Sequence, residues 1–216
     1  EHPEYDHIPV IRAATPDYCG SLQEGFAAAV EGIVYAVPEG GEVIPGQVTL
    51  LPGSHLTPAD VEELKTMVED FGLDPVVIPD ISCALDGHID DTVSALSTGG
   101  IPVERIRRAG RSEATLYFGD SLAKSAKILQ KRFGTPSYGF TSVTGLAEVD
   151  LLVETLSEIA DCDVPGKYVR QRSRLMDAMV DSHYQLGRKK VALACEGDLL
   201  KTLTPFLVSV GCDIPV

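Results

Sequence analysis

The feature that narrows the fold most is an alternation. From residue 47 onward, short apolar runs take turns with longer segments of helical periodicity. This alternation is the signature of β-α-β units wound around a parallel sheet. Val48–Leu51, Val76–Ile78, Ala114–Phe118, Ser137–Thr141 and Lys190–Cys195 read as strands. Thr57 and Pro58 supply a cap and a first-turn proline for a helix over Ala59–Phe71, and Gly72 suits its left-handed exit. Further helices are expected over Val103–Ala109, from a cap at Asp120 to Gly134, over Gly145–Ile159, from Val164-Pro165 to Gly187, and from a cap at Asp198 to Val210. Ahead of the first strand, Ser21 and Glu24 form a capping box that opens a helix over 21–36, and Pro38-Glu-Gly-Gly41 ends it. Residues 80–100 read as a long surface loop.

The fold expected is α/β. A three-layer α/β/α Rossmann-like domain with a parallel sheet covers 47–187, an N-terminal extension and helix cover 1–46, and 188–216 form the first β-α unit of a second, similar domain. The chain opens at Glu1 without a methionine and closes at Val216 on a stretch that reads as the approach to another strand. Both ends therefore read as cut.

With 216 residues and 44% apolar content the chain can bury a sizeable core. No apolar run approaches the roughly 18 residues of a membrane span, and no charged-then-apolar leader is present. The cytoplasm is the expected compartment. A net charge of −14 argues against a nucleic-acid groove. Arg105, Arg107, Arg108 and Arg111 read as one solvated helix face. The cysteines, Cys19, Cys83, Cys162, Cys195 and Cys212, contain no C-x-x-C pair, so neither a zinc knuckle nor a ferredoxin-type cluster is written here. Buried reduced thiols are expected, with Cys19 set apart by its Gly-flanked turn ahead of a helix.

No phosphate-binding signature is present, so nucleotide binding is not supported. The turn Pro52–Thr57 aims amides and a helix dipole at a point where an anion could sit, although such turns are ordinary in α/β proteins. Ser54 and His55 are adjacent and lack the G-x-S-x-G elbow, so the chain alone shows no catalytic pair. His183 reads as a hydrogen-bonded helix histidine. Leu175, Met176, Met179, Val180 and His183 form an apolar stripe expected to pack on a neighbour. On the same helix Asp177 and Asp181 stand one turn apart, where two oxygen donors could hold a hard divalent cation with ligands from another chain. Ion pairing within the helix, with Arg174 in reach of Asp177, is the plainer alternative.

Several segments together carry a resemblance. Thr15-Pro-Asp-Tyr-Cys-Gly-Ser, Leu51-Pro-Gly-Ser-His-Leu-Thr57, Ser97-Thr-Gly-Gly100, Gly110-Arg-Ser112 and Arg170–His183 resemble, in order, segments of β-type subunits of the nitrogenase component 1 family. The wording of the first two is closer to the cofactor-assembly branch than to the catalytic subunit. Asp17 stands where the catalytic subunit carries a serine beside its P-cluster, which puts such a cluster in doubt here.

The resemblance implies a scaffold subunit acting in a heterotetramer with a NifE-type partner. On that scaffold an iron–sulfur precursor of the iron–molybdenum cofactor acquires molybdenum and homocitrate with help from the nitrogenase iron protein. It implies cluster ligands outside this stretch, with Asp17 and Cys19 the nearest candidates, no whole cluster held by this stretch, and a divalent metal between subunits at Asp177 and Asp181. Two other readings stay open. One is the β subunit of a reductase such as nitrogenase or dark-operative protochlorophyllide reductase, and the other is a small-ligand binding module.

Overall fold

The computed structural model describes residues 10–16, 19–83 and 99–215. Asp17, Ser97 and Thr98, and most of the loop expected over 80–100, lie outside the described residues. The chain runs through α1 (Leu22–Ala36), β1 (Ile44–Leu51), α2 (Pro58–Asp70), β2 (Asp74–Val77), α3 (Val103–Arg108) and β3 (Ser112–Phe118). It continues through α4 (Ala123–Phe133), β4 (Ser137–Phe140), α5 (Leu146–Ala160), α6 (Gly166–Leu186) and α7 (Gly197–Ser209).

The strands form one parallel sheet in the order β2-β1-β3-β4. Register sets Val48 beside Pro75, Leu50 beside Leu116, and Leu116 beside Tyr138. Helices cover both faces. Val61, Leu64 and Val68 of α2 and Leu152 and Leu156 of α5 pack on Val48, Leu50, Leu116 and Phe118. On the other face Val30 and Val34 of α1 and Ala126 and Leu129 of α4 pack on Leu51, Val76 and Ile78. A sheet buried on both sides needs near-continuous apolar strands, which is why the runs stand out in the sequence. The expected three-layer α/β/α arrangement is the one observed.

Local chemistry sets two helix starts. The Ser21 and Glu24 side chains exchange hydrogen bonds with each other's backbone amides at 2.9 and 3.3 Å. Thr57 and Asp60 do the same at 2.8 and 3.3 Å, with Pro58 in the first turn. Arg132 of α4 closes the far end of α1, donating to the carbonyls of Val34, Tyr35 and Pro38 with its guanidinium 4.6 Å from the Phe133 ring centre.

Three expectations need correction. Lys190–Cys195 is not a fifth strand: Lys190 forms a single parallel bridge to Asp213, and no further ladder among the described residues gives that segment a neighbour to pair with. Asp120 and Asp198 do not cap their own helices. Asp120 pairs with Lys201, and Asp198 lies inside α7, whose cap residue is Glu196. Three of the four arginines at α3 and just after it are tied to partners rather than free on a solvated face, and Arg108 alone of the four is exposed. Arg105 grips the Asp74 carboxylate at 2.8 and 3.1 Å, Arg107 pairs with Glu39, and Arg111 donates to the Glu42 carbonyl at 2.9 Å.

Candidate functional site

Two places on this scaffold combine chemistry with an unusual setting. The first is the outward side of α6. This helix is 21 residues long, and its one buried residue is Tyr168. The Tyr168 hydroxyl donates to Asp70 at 2.5 Å, and burial together with that carboxylate pushes its pKa far above the ordinary phenol value. Lys167 and Tyr168 in turn hold Asp70 below the usual carboxylate range. Arg172 grips Asp150 of α5 at 2.8 Å and lowers that carboxyl as well. Tyr168 and Arg172 fix the inner side of the helix, and a groove of about 490 Å³ runs between α5 and α6, lined by Val149, Val153, Val169 and Leu175 among others.

The opposite side meets solvent. Val180 and Tyr184 are exposed there, Tyr184 at 89%, and Met176 and the groove residue Val169 are exposed beside them. The apolar stripe expected to pack on a neighbour is only partly covered among the described residues: Leu175 and Met179 are half-buried, whereas Met176, Val180 and His183 are exposed. Arg170, Arg174, Asp177 and Asp181 share one exposed face at helical spacing. Arg174 does not pair with Asp177 among the described ion pairs. The described residues contain no group of three or more His, Cys, Asp or Glu placed to hold a metal ion. Asp177 and Asp181 therefore stand as a pair of oxygen donors without a third such ligand among the described residues.

His183, near the end of α6, sets its ring against Gly211, where a Cβ would collide with it. It is a junction residue. Cys19 is exposed just ahead of α1, as are Cys83, Cys162 and Cys195, whereas Cys212 is buried. The expectation of buried thiols thus holds for Cys212 and not for Cys83, Cys162 and Cys195, while Cys19, set apart in the sequence, is exposed in its turn. The structure does not bring Cys19 near Asp177 or Asp181 in any shared cluster among the described residues.

The second place is the mouth between β1 and β3. The turn after β1 carries Gly53, Ser54 and His55, and the turn after β3 carries Gly119 and Ser121. Asp198 of α7 is laid over them. The Ser54 and Ser121 hydroxyls and both His55 ring nitrogens are shielded from solvent without a partner among the described residues. Burial lowers the His55 pKa, against the opposing pull of Asp198 and Asp60. Sequence reading noticed Ser54 and His55 but could not supply Asp198, whose partner lies 77 residues away.

The family model for nitrogenase component 1 type oxidoreductases matches residues 1–216. The chain is 45% identical over 213 residues to the nitrogenase iron-molybdenum cofactor biosynthesis protein NifN of Nostoc sp. (strain PCC 7120), covering 99% of this chain and 48% of that protein. Identity to NifN of Bradyrhizobium diazoefficiens is 38%, over 100% of this chain and 47% of that one. For NifN of Klebsiella pneumoniae it is 33%, over 98% and 47%. The chain thus spans about half the length of the curated relatives it matches. Among solved structures, a chain described as "Nitrogenase Cp1 at pH 6.5" superposes with a TM-score of 0.88 at 32% identity, covering 95% of this chain and 44% of that one. No described helix is long and apolar enough to cross a membrane. Sequence and fold agree, and the chain belongs to the nitrogenase component 1 type oxidoreductase family.

Proposed function

We propose that this chain is part of a scaffold subunit for assembly of the nitrogenase iron–molybdenum cofactor. In this reading it works with a NifE-type partner in a heterotetramer, in the cytoplasm, to hold a cluster precursor while molybdenum and homocitrate are inserted and the nitrogenase iron protein assists. The observation that carries it is the 33–45% identity to proteins named NifN across nearly the whole chain. Residues 188–216 then open a second domain like the one over 47–187.

The described residues fit a docking portion better than a cluster site. Their cysteines are dispersed, and they offer no clustered ligand set. A precursor would be bound by groups outside them, with Asp17 and Cys19 the nearest candidates in sequence. The exposed side of α6 suits assembly. Antiparallel pairing of α6 with a second copy, centred between Leu175 and Met176, would set Arg170 opposite Asp181 and Arg174 opposite Asp177 of that copy. The apolar residues Val180 and Tyr184 would flank those pairs, as interface cores and rims require. Alternatively, the two aspartates supply oxygen ligands to a divalent cation shared with another subunit.

Co-purification of the full-length protein with its partner, followed by iron and molybdenum counts, tests the scaffold reading. A protein that purifies alone, colourless and fully folded, overturns it. In the full complex an Asp177→Ala, Asp181→Ala double variant should lose assembly, divalent metal, or both. Unchanged metal content and unchanged assembly would remove these residues from the interface.

A second reading, the β subunit of a catalytic nitrogenase-like reductase, is favoured by the 0.88 TM-score to the nitrogenase chain. Reductase turnover by the purified complex with the iron protein separates it from the scaffold.

A further inference from the structure

In an open parallel sheet, ligands bind outside the carboxyl ends of the strands, where the connections diverge to opposite sides. Here that place lies between β1 and β3. The chain leaves β1 through α2 on one face toward β2, and leaves β3 through α4 on the other face toward β4.

The two helix starts at this mouth are treated differently. At α2 the free amides are satisfied locally by Thr57 and Asp60, so the anion position that the Pro52–Thr57 turn suggests is already taken by the chain's own carboxylate. At the β3–α4 turn neither the 3₁₀ segment Asp120–Leu122 nor α4 has a side-chain cap of its own. Asp198 arrives instead from α7, accepting from the Ser121 N–H at 3.3 Å.

The fit around that carboxylate is close. Asp198 is 2% exposed. Gly119 sits at φ +100, and a Cβ there would lie 2.5 Å from Asp198 Oδ2 and 3.1 Å from His55 Cε1. At Gly53 a Cβ would strike the Phe118 carbonyl and come within 2.8 Å of the His55 ring. The two glycines let both turns close on one point. Beside it, the shielded Ser121 hydroxyl and the His55 ring nitrogens, with the Ser54 hydroxyl next to His55 in sequence, have no partner among the described residues. A buried carboxylate with one long hydrogen bond is costly unless other contacts hold it in place. Those contacts are on α7 and α1. Lys201 pairs with Asp120, Thr202 donates to the Thr141 carbonyl at 3.2 Å, and Gln23 accepts from the Asp198 amide at 2.9 Å.

We propose that the mouth between β1 and β3 is an oxyanion cradle which the chain fills with its own Asp198 carboxylate, making α7 a tethered occupant of the site. The chemical class it takes is a small oxyanion, a carboxylate or a phosphate group. Such a group reaches the cradle only in competition with α7. This inference does not depend on the scaffold reading.

Chemical rescue tests it with inorganic or one-carbon anions. Asp198→Ala removes the occupant and leaves its space, whereas Asp198→Leu fills the space without charge. Sodium formate should raise the melting temperature of Asp198→Ala by about 2–4 °C more than sodium chloride at equal ionic strength. It should not do so for the natural protein or for Asp198→Leu. Rescue by orthophosphate as well extends the cradle to tetrahedral oxyanions, and rescue by formate alone restricts it to carboxylates. If formate and chloride act alike on Asp198→Ala, or if Asp198→Leu responds equally, the proposal fails. Should Asp198→Ala not fold, its refolding yield in formate against chloride replaces the melting temperature, and equal yields overturn the idea.

Discussion

α2 and α6 are both amphipathic helices beside the same sheet, yet they spend their apolar residues in opposite directions. In α2, 13 residues bury Val61, Leu64, Met67 and Val68, and its start is closed by its own capping box. In α6, 21 residues bury only Tyr168. The first helix is part of what makes the chain fold, whereas the second keeps Met176, Val180 and Tyr184 in solvent beside a stripe of arginines and aspartates. A helix whose apolar side is left uncovered contributes little to the stability of the isolated chain and a good deal to what it can bind.

Substitutions can break or sharpen that contrast. Leu64→Ala, in the core under α2, should cost about 2–5 kcal/mol by denaturant unfolding; a cost below about 1 kcal/mol would mean that α2 is not the keystone of that face. Removing the cap with Thr57→Ala should cost about 1 kcal/mol, with no matching local device to lose at the start of α6, where no side-chain cap exists. A third change is smaller and depends on pH. The His55 pKa is depressed by burial, so the unfolded chain takes up a proton more readily than the folded one. Stability is therefore full above the ordinary imidazole value of about 6.5 and declines as pH falls from there toward the lower folded value. A His55→Gln variant should flatten that decline in melting temperature, and an unchanged pH profile would place the sensitivity elsewhere. Smallest of all, Val180→Ala should alter the unfolding free energy of the isolated chain by less than about 0.5 kcal/mol while weakening association in the assembled complex. A larger effect on the isolated chain would show that α6 is covered from within.

Much of this was legible in the sequence because much of it is local. Ser21 with Glu24, and Thr57 with Asp60, lie three residues apart, and β1, β2 and β3 carry buried apolar runs because helices cover the sheet on both faces. The failures have a common physical cause in distance along the chain. Asp120 and Asp198 have the composition of helix caps, but Asp120 is drawn to Lys201 and Asp198 to Ser121, 81 and 77 residues away. Lys190–Cys195 has strand composition, yet a strand exists only with a neighbour, and Asp213 alone supplies one. For the candidate sites, Asp177 and Asp181 were visible as a one-turn pair, whereas the cradle joins three separate segments and has no periodicity to read.

Arg132 shows how narrow such long-range ties can be. One planar group serves the Val34, Tyr35 and Pro38 carbonyls together and lies near two aromatic rings. Lysine offers the same charge from a single point, without the flat fork of donors. In related chains this position should therefore exchange with lysine far less readily than the neighbouring exposed Lys131, and a chain that does carry lysine there should hold the end of its first helix more loosely.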